Sequence, residues 1–553
     1  MKNLLLLLLA VSLCFSATVV INSQDGRDVV SGIYYAALNG DRVVFVPPSH
    51  SESVTYGKIG WNGEILLVQS ASNPIITGMA NELRNKGNTV EIFSSEEPYA
   101  TNRLLAERAR ATKFILVDPV YGYNTVSALP YAKLNGMYLI FADKEMKNEI
   151  VSFLRGRGAS DILVYGYMDG EMKDALDANG LPYREINTGD KFDDNMELVD
   201  RYFSENPSKK QALFSDGNAF EDTLAAGDDP IILISPVIPA SVYNFIKEKA
   251  SSGQLKVGMV VDMEYAQTAY NLKKSVNNEL GTDALHVLVK FGQSVPSAGS
   301  GLFDVDLFPV RGPILGLQIN GVQYNTATGQ IEITYENTGN ALEYVSSRVV
   351  VFVDGVQLQI IGDEEPFQVG RGQQLGKGYP ILIESGQISL NITAMFGSSR
   401  KSHENGIVAF LDAGRLEYSD RSVLEISGFN EEQESGDLLV TYYNPGDVTT
   451  YFRADAAINA SGRITRIEDD RLYELSAGEA KIVKFPGVML DAASAAAGAN
   501  YGSRAAFLEK RVDGQYVPSP KSAFDMNLIL VLLVVLLAAV VGYLLLEKKG
   551  KKK

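Results

Sequence analysis

Two different hydrophobic periodicities divide the chain. Between about residues 18 and 290, short apolar runs such as Phe114 to Val117 alternate with segments in which apolar residues recur every three to four positions. Short buried strands that alternate with amphipathic helices are typical of parallel βαβ units. Beyond residue 303 the helical period fades and apolar and polar residues alternate, which predicts antiparallel strands packed as sandwiches.

The α/β part contains an internal repeat. DVVSGIYYAALNG, which begins at Asp28, and NTVSALPYAKLNG, which begins at Asn124, share Val-Ser, Tyr-Ala and Leu-Asn-Gly in register. A third and shorter copy, EDTLAAGDDPIILI, begins near Asp222. Each copy leads into a short apolar strand, so the sequence predicts three α/β repeats.

These repeats resemble a known family. NTVSALPYAKLNGMYLIFAD, with Pro130 and Gly136 at the family's Pro and Gly positions, looks like the type 2 cell-wall-binding repeat of bacterial surface proteins. EEPYATNRLLAERA, from Glu96, is similar to a second stretch of that family. The resemblance covers about residues 18–290 and implies three modules around a pseudo-threefold axis, which hold surface proteins noncovalently on an anionic wall polymer. The chain departs from the family in its acidity and in a predicted anchor of its own.

Three polar residues occupy matching positions in the copies. Asp28, Asn124 and Asp222 follow a predicted strand and stand at the start of a helix. The carboxyl ends of parallel strands are where open α/β sheets bind ligands, so the three are candidate ligand-binding residues. Helix capping and compensation of the helix dipole explain the same residues, and the sequence favours that interpretation.

A second internal repeat marks the β-rich part. ITYENTGNALEY and VTYYNPGDVTTY share Thr-Tyr-x-Asn-x-Gly, about a hundred residues apart, and Asn-x-Gly is typical of tight turns. The motif resembles the immunoglobulin-like modules of archaeal S-layer and other surface proteins. Asn391 and Asn459 each begin an Asn-x-Ser/Thr sequon and are candidate glycosylation sites, although such short sequons also occur unmodified.

The two ends of the chain predict a surface location. Lys2 and the leucine run after it are typical of a secretory signal peptide. Residues 526–546 form an uninterrupted apolar run followed by a lysine-rich tail, which predicts a transmembrane helix with its tail in the cytoplasm. A buried core helix and a removable lipid-anchor signal are the less favoured alternatives. The predicted location is the cell membrane, single-pass, with the N-terminal part outside.

The predicted fold class is therefore multidomain, with triplicated α/β repeats, two antiparallel immunoglobulin-like β-sandwiches and one C-terminal transmembrane helix. The predicted segments are 1–17 signal peptide, 18–112, 113–210 and 211–295 α/β repeats, 303–418 and 421–515 β-sandwiches, 526–546 transmembrane helix and 547–553 cytoplasmic tail.

Nothing in the sequence predicts catalysis. Cys14, the one cysteine, lies in the predicted signal peptide, so disulfides and thiolate chemistry are excluded from the mature chain. His50, His286 and His403 lack metal-ligand spacing. We expect no catalytic residues, no cofactor and no metal site, with at most loosely bound Ca²⁺ on acidic loops. The net charge of −17 argues against nucleic acid as a partner.

Three hypotheses follow. The first is an adhesion or S-layer-associated scaffold, archaeal in type, whose α/β repeats bind an envelope polysaccharide or a neighbouring surface protein. The second is a lattice protein that associates with its own copies without a glycan ligand. The third is an extracellular hydrolase of envelope glycans, which requires paired carboxylates that meet in the folded chain.

Overall fold

The computed structural model describes residues 17–47, 52–95, 100–221, 224, 227–261, 263–281, 283–294, 302–401, 403–432, 437–460, 463–469, 471–485 and 494–516. Parallel α/β units occupy the N-terminal half and a β-rich part follows. The predicted signal peptide, apart from Ala17, lies outside these ranges.

Three four-stranded parallel sheets form the α/β part, which we call the head. In each sheet the first strand lies between the second and the third, as in the order β2-β1-β3-β4. The first sheet contains β1 (Thr18–Asn22), β2 (Arg42–Phe45), β3 (Glu64–Gln69) and β4 (Thr89–Phe93). The second contains β5 (Lys113–Val117), β6 (Tyr138–Phe141), β7 (Asp161–Tyr165) and β8 (Arg184–Ile186). The third contains β9 (Gln211–Ser215), β11 (Ile231–Leu233), β12 (Val257–Val260) and β13 (His286–Val289), and β10 (Ala219–Phe220) lies beside it.

Ten helices of the described chain connect these strands. They are α1 (Gly26–Asn39), α2 (Glu52–Lys58), α3 (Met79–Asn85), α4 (Ala100–Arg108), α5 (Gly122–Leu134), α6 (Lys147–Arg157), α7 (Gly170–Ala178), α8 (Lys191–Glu205), α9 (Ala240–Ser251) and α10 (Ala266–Leu280). One large hydrophobic core joins all three sheets, and a smaller separate core lies within the first repeat.

Buried asparagines clamp each repeat to the next. Asn102 on α4 donates to the backbone oxygen of Leu139 at 3.0 Å and accepts from the backbone N–H of Phe141 at 3.3 Å. One repeat later, Asn195 on α8 makes the same pair of bonds with Ile231 and Leu233, both at 2.8 Å. The amide thus satisfies backbone groups along one edge of the next sheet.

Removal of either clamp is expected to destabilise the head. Asn102→Ala and Asn195→Ala leave a buried backbone N–H and C=O unpaired, which costs about 1–3 kcal/mol per group. Asn85→Ala, at an exposed helical position, should change the unfolding free energy by less than about 0.5 kcal/mol. Denaturant unfolding measures all three. Equal stabilities for the clamp variants and Asn85→Ala would show that the clamps contribute nothing.

A segment that follows the third repeat crosses the carboxyl ends of the head's strands. This axial segment, residues 302–316, contains β15 (Leu302–Asp304) and β16 (Phe308–Pro309). β15 pairs with β14 (Gly292–Ser294) and β16 pairs antiparallel with β10 of the third repeat. Asp306 forms an ion pair with Lys58 of the first repeat. The Phe308 ring lies 6.3 Å from the ring of Phe45, which also belongs to the first repeat.

The axial segment also packs against Gly122 of the second repeat. A Cβ at Gly122 would overlap Val310 and would lie 2.5 Å from the carbonyl oxygen of Arg311. Gly26 is the equivalent position of the first repeat, since it too precedes the repeat motif by two residues, and it faces Phe308 and Pro309 at 3.7 Å. The axial segment therefore contacts all three repeats.

Gly122→Ala is expected to displace the axial segment and to destabilise the protein by about 1–3 kcal/mol, because a side chain must enter a filled space. Gly156→Ala is a matched control, since Gly156 lies within α6 with open space around it. That substitution should be neutral or stabilising by up to about 1 kcal/mol. Thermal unfolding distinguishes the two, and a stable Gly122→Ala protein would contradict the close packing.

The β-rich part contains two hydrophobic cores. The first β-domain is an eight-stranded sheet of β17 (Leu317–Asn325), β18 (Gln330–Asn337), β19 (Glu343–Val353), β20 (Val356–Gly362), β21 (Phe367–Val369), β22 (Gln374–Pro380), β23 (Ile388–Gly397) and β24 (Asn405–Leu416). The second β-domain has a three-stranded and a five-stranded sheet, formed by β25 (Glu425–Glu432), β26 (Asp437–Tyr443), β27 (Thr450–Ala460), β28 (Arg463–Glu468), β29 (Tyr473–Leu475), β30 (Ala480–Phe485), β31 (Ser494–Gly502) and β32 (Lys510–Tyr516).

The Asn-x-Gly motif has the same role in both β-domains. Asn337 accepts from the N–H of Gly339 at 2.8 Å and donates to the carbonyl of Val369 at 2.8 Å. Asn444 accepts from the N–H of Gly446 at 3.0 Å and donates to the carbonyl of Leu475 at 3.0 Å. The predicted turn is confirmed, and each asparagine also ties its turn to a distant strand.

The predicted location in the cell membrane requires correction. Within the described ranges, no helix is both long enough and apolar enough to cross a bilayer. The apolar run 526–546 and the tail 547–553, on which the prediction rested, lie outside the described residues. Single-pass anchoring is therefore not supported, and that prediction is withdrawn.

Candidate functional site

A pocket of about 470 Å³ opens at the carboxyl ends of the first two sheets. The start of α1 forms one side, the turn after β5 and the first part of α5 form another, and the axial segment closes the third. Its lining residues are Asp25, Gly26, Arg27, Val30, Pro119, Val120, Thr125, Phe141, Val310, Arg311, Gly312, Ile314 and Asn340. We call it the head pocket. It lies where parallel α/β sheets generally bind ligands.

Charged groups stand on two sides of the head pocket. Asp25 caps α1 by accepting from the backbone N–H of Arg27 at 2.9 Å, and the Arg27 Nε donates to both carboxylate oxygens. Burial alone would raise the pKa of Asp25. The bonds and charge of Arg27, with help from Arg311, outweigh burial and lower that pKa. Two guanidinium groups and one carboxylate therefore leave this rim with a net positive charge.

The rest of the lining is largely apolar and includes one buried hydroxyl. Thr125 on α5 is 1% exposed, and its Oγ1 has no hydrogen-bond partner in the described chain. Val30, Phe141 and Val310 provide apolar surface around it. A buried hydroxyl without a partner is unfavourable, so a ligand with a polar atom near Thr125 would gain a hydrogen bond that the protein leaves unmade.

Asp28 lies behind the head pocket rather than in its lining. It accepts from the Ser23 hydroxyl at 2.8 Å, and burial raises the pKa of its carboxyl although hydrogen bonds from Ser23 and Thr101 oppose this. It stands in the first turn of α1, whereas Asp25 is the capping residue. Asp28 is therefore hydrogen-bonded within the protein, and its ligand-binding assignment stays a prediction.

Asn124 is also enclosed. It is 2% exposed, and a Cβ at Gly166 would overlap its amide. The space beside it holds only about 20 Å³ and is shared with Asp194 and with Tyr344 of the first β-domain. The part of the second repeat's edge around Asn124 is thus filled by the β-domain. The structure does not bring Asn124 together with Asp28 in one pocket.

The remaining predicted residues divide into two groups. Asp222 lies outside the described residues. Asn391 is on β23 and Asn459 on β27, both far along the chain from the head. The ligand-binding and glycosylation assignments of these residues stay predictions.

The first β-domain docks on the second repeat through polar contacts. Ser399 donates to Asp190 at 2.5 Å and the backbone N–H of Leu342 donates to Tyr121 Oη at 2.8 Å, both in buried surroundings. Lys401 forms an ion pair with Asp193 at 2.6 Å. These contacts close the part of this edge around Asn124, whereas the part that includes Val120 and Thr125 lines the head pocket.

Three buried aspartates follow the strands of the second sheet. Asp118, Asp143 and Asp169 are between 2% and 7% exposed. Burial, with the negative charges of Asp169 and Asp143, raises the pKa of Asp118 well above its usual range, and Arg371 of the first β-domain opposes this. In the described ranges no three His, Cys, Asp or Glu side chains are placed to hold a metal ion. The expectations about cofactors and Ca²⁺ stay predictions.

The residues that line the head pocket were missed in the sequence. Asp25-Gly-Arg27 follows soon after β1, and Thr125 is next to Asn124. Their positions after predicted strands could therefore have identified them as candidate site residues. Nothing in the sequence identifies Arg311 as a site residue. It is distant in sequence from the other lining residues and reaches the head pocket only through the path of the axial segment.

A buried glutamate links the axial segment to the first β-domain. Glu343 is fully buried, accepts from the backbone N–H of Gly316 at 2.5 Å, and leaves its second oxygen unpaired. Burial raises the pKa of Glu343 to about 7, although the Gly316 bond opposes the shift. The folded protein therefore holds this proton more tightly than the unfolded chain does.

The stability that this proton contributes is complete below the usual glutamate pKa and is lost as pH rises through about 7. Glu343→Gln keeps an acceptor for Gly316 and cannot ionise. Its melting temperature at about pH 8.5 should exceed that of the parent protein by about 2–4 °C, with little difference near pH 5. Glu365→Gln, at an exposed position, is the control. A Glu343→Gln difference that does not depend on pH would contradict the assignment.

Comparison with known proteins gives only distant matches. No protein-family model matches the chain. No curated protein matches its sequence. Among solved structures, Cwp8 from Clostridium difficile matches with 15% identity and a TM-score of 0.40 over 48% of this chain and 47% of that one. Cwp6 from the same organism matches with 13% identity and a TM-score of 0.32 over 44% and 40%.

The chain thus spans less than half the length of either neighbour. With TM-scores below 0.5 and identities of 15% or less, these likenesses establish neither a common architecture along the chain nor a common activity. The resemblance to the type 2 cell-wall-binding repeat stays a prediction.

Proposed function

We propose that this chain is a cell-surface protein whose head binds an envelope polysaccharide in the head pocket. The observation that supports this most is the pairing of a positive rim with an unpartnered hydroxyl inside one pocket of about 470 Å³. That volume is within the range of about 300–1,000 Å³ typical of ligand sites. It is large enough for a sugar unit with its substituents.

Each group of the head pocket matches a part of such a ligand. The guanidinium groups of Arg27 and Arg311 suit a carboxylate or phosphate substituent. Asp25 can accept from sugar hydroxyls, and Thr125 can exchange a hydrogen bond with one. The apolar wall that includes Val30 and Phe141 can contact the C–H face of a sugar ring. A neutral or acidic sugar fits this arrangement better than a cationic ligand.

We propose no hydrolase activity for the head pocket. Hydrolysis of a glycoside requires two carboxylates that flank the bond. The three converging aspartates, Asp118, Asp143 and Asp169, are buried in the interior, and Asp25 is the one carboxylate in the head pocket lining.

Arg311→Gln is expected to weaken binding of the full-length protein to an isolated envelope glycan fraction by about 10-fold to 150-fold, because a charge-assisted hydrogen bond contributes about 1.5–3 kcal/mol. Thr125→Val, which is nearly isosteric, should weaken binding by about threefold to tenfold. Affinity is measured by sedimentation with the glycan fraction, and thermal unfolding verifies that each variant is folded.

Lys256→Gln removes a positive charge at the amino end of β12, the opposite edge of the third sheet. It should leave affinity unchanged. If Lys256→Gln and Arg311→Gln weaken binding equally, attraction by general charge replaces the head pocket as the explanation. If the parent protein binds no envelope glycan, the proposal fails.

A further inference from the structure

An apolar surface lies exposed on the first β-domain. Four neighbouring strands, β20, β19, β23 and β24, contribute to it. We call it the β20–β24 face and define it by Val350, Phe352, Leu358, Ile360, Val408 and Phe410. Val408 is 72% exposed and Phe410 66% exposed, and Leu358 and Ile360 are about half exposed at 52% and 43%. The strand register also places the exposed Arg348 and Asp412 on this face. A cluster of exposed apolar side chains of this kind usually has an occupant.

Asn391 lies in the middle of this face. The strand register places it between Val350 of β19 and Phe410 of β24, and Ile360 of β20 lies beyond Val350. The rings of Phe352 and Phe410 approach to 6.1 Å across β23. Asn391 is therefore the one polar position in a cross-strand row of apolar side chains.

The sequon that begins at Asn391 points outward. Asn391 and Thr393 are two residues apart on β23, so both side chains lie on the same face of the sheet. Ile392, between them, is fully buried in the core. The Asn391 side chain is partly exposed, while its amide oxygen is buried and has no hydrogen-bond partner within the described chain. The amide nitrogen is left as the group that faces solvent.

We propose that Asn391 carries an N-linked glycan whose first sugars cover the β20–β24 face. The modification joins Asn391 Nδ2 to the anomeric carbon of an oligosaccharide carried on a polyisoprenoid phosphate. The anomeric C–O bond to phosphate breaks, the phosphate departs with the electron pair, and the amide nitrogen loses one proton. This proposal relies on the surface location that the proposed function assigns.

The geometry favours a glycan over a second copy of the chain as the occupant. A protein partner would bury the row Ser389, Asn391 and Thr393 through the centre of the interface. An unpaired polar group buried in this way costs about 1–3 kcal/mol. A glycan takes up the Asn391 amide nitrogen in its own linkage and has C–H faces that pack on Phe352 and Phe410. Attached sugars also make a surface more soluble.

Mass spectrometry of protein purified from its own cells tests the proposal. Trypsin cleavage after Lys377 and Arg400 releases residues 378–400, which contain Asn391 and no other sequon, and cleavage after Arg453 and Arg463 isolates Asn459. We expect peptide 378–400 to carry additional mass in sugar-residue increments. Thr393→Ala should abolish that mass, and Thr393→Ser should retain it, because serine also completes the sequon.

The functional readout is self-association. Thr393→Ala protein should bind more of a hydrophobic dye and aggregate at lower concentration than Thr393→Ser protein. An unmodified peptide 378–400 overturns the proposal, whatever the state of Asn459. An unmodified protein that forms dimers disrupted by Phe410→Ser would assign the face to a second copy instead. Protease added to intact cells tests the surface location separately, so that failure of the glycan and failure of the proposed function can be distinguished.

Discussion

The path of the axial segment constrains the rest of the molecule. It crosses the carboxyl ends of the three sheets, pairs with β10, and fits against Gly122 so closely that the smallest side chain has no room. Tight packing of this kind transmits displacement rather than absorbing it. The same segment supplies Val310 and Arg311 to the head pocket and then continues into β17 of the first β-domain. The head pocket and the position of the β-domain therefore depend on one stretch of chain.

The three repeats have the same strand order but differ in what contacts the carboxyl ends of their strands. The edges of the first and second repeats both line the head pocket, whereas another part of the second edge is filled by Leu342, Tyr344 and Ser398 of the first β-domain. The third is occupied by the axial segment through β10. Three copies of one unit thus provide one pocket between the first two repeats and attachment points for the rest of the chain on the second and third. The acidic residues of the second repeat serve its attachment to the β-domain, because Asp190 contacts Ser399 and Asp193 contacts Lys401.

Much of the architecture could be predicted from the sequence, because periodicity and repeat motifs are local properties. The strand that begins at Thr18, the helix that ends at Asn39 and the Asn-x-Gly turns at Asn337 and Asn444 all follow from short stretches. The site depends on distant residues. Arg311 joins Asp25 only through the axial segment, and Asn124 is covered by Tyr344, more than two hundred positions away. A single sequence does not show which edges of a repeated unit become covered.

The asparagine clamps give the head a direction. Asn102 precedes the strand it holds, at Leu139 and Phe141, and Asn195 precedes the strand at Ile231 and Leu233. Each repeat thus presents a finished binding edge before the strand that needs it has been synthesised. Domains generally form as units in the order in which they leave the ribosome. A chain organised in this way can add its repeats one at a time during synthesis, with each newly made sheet templated by its predecessor.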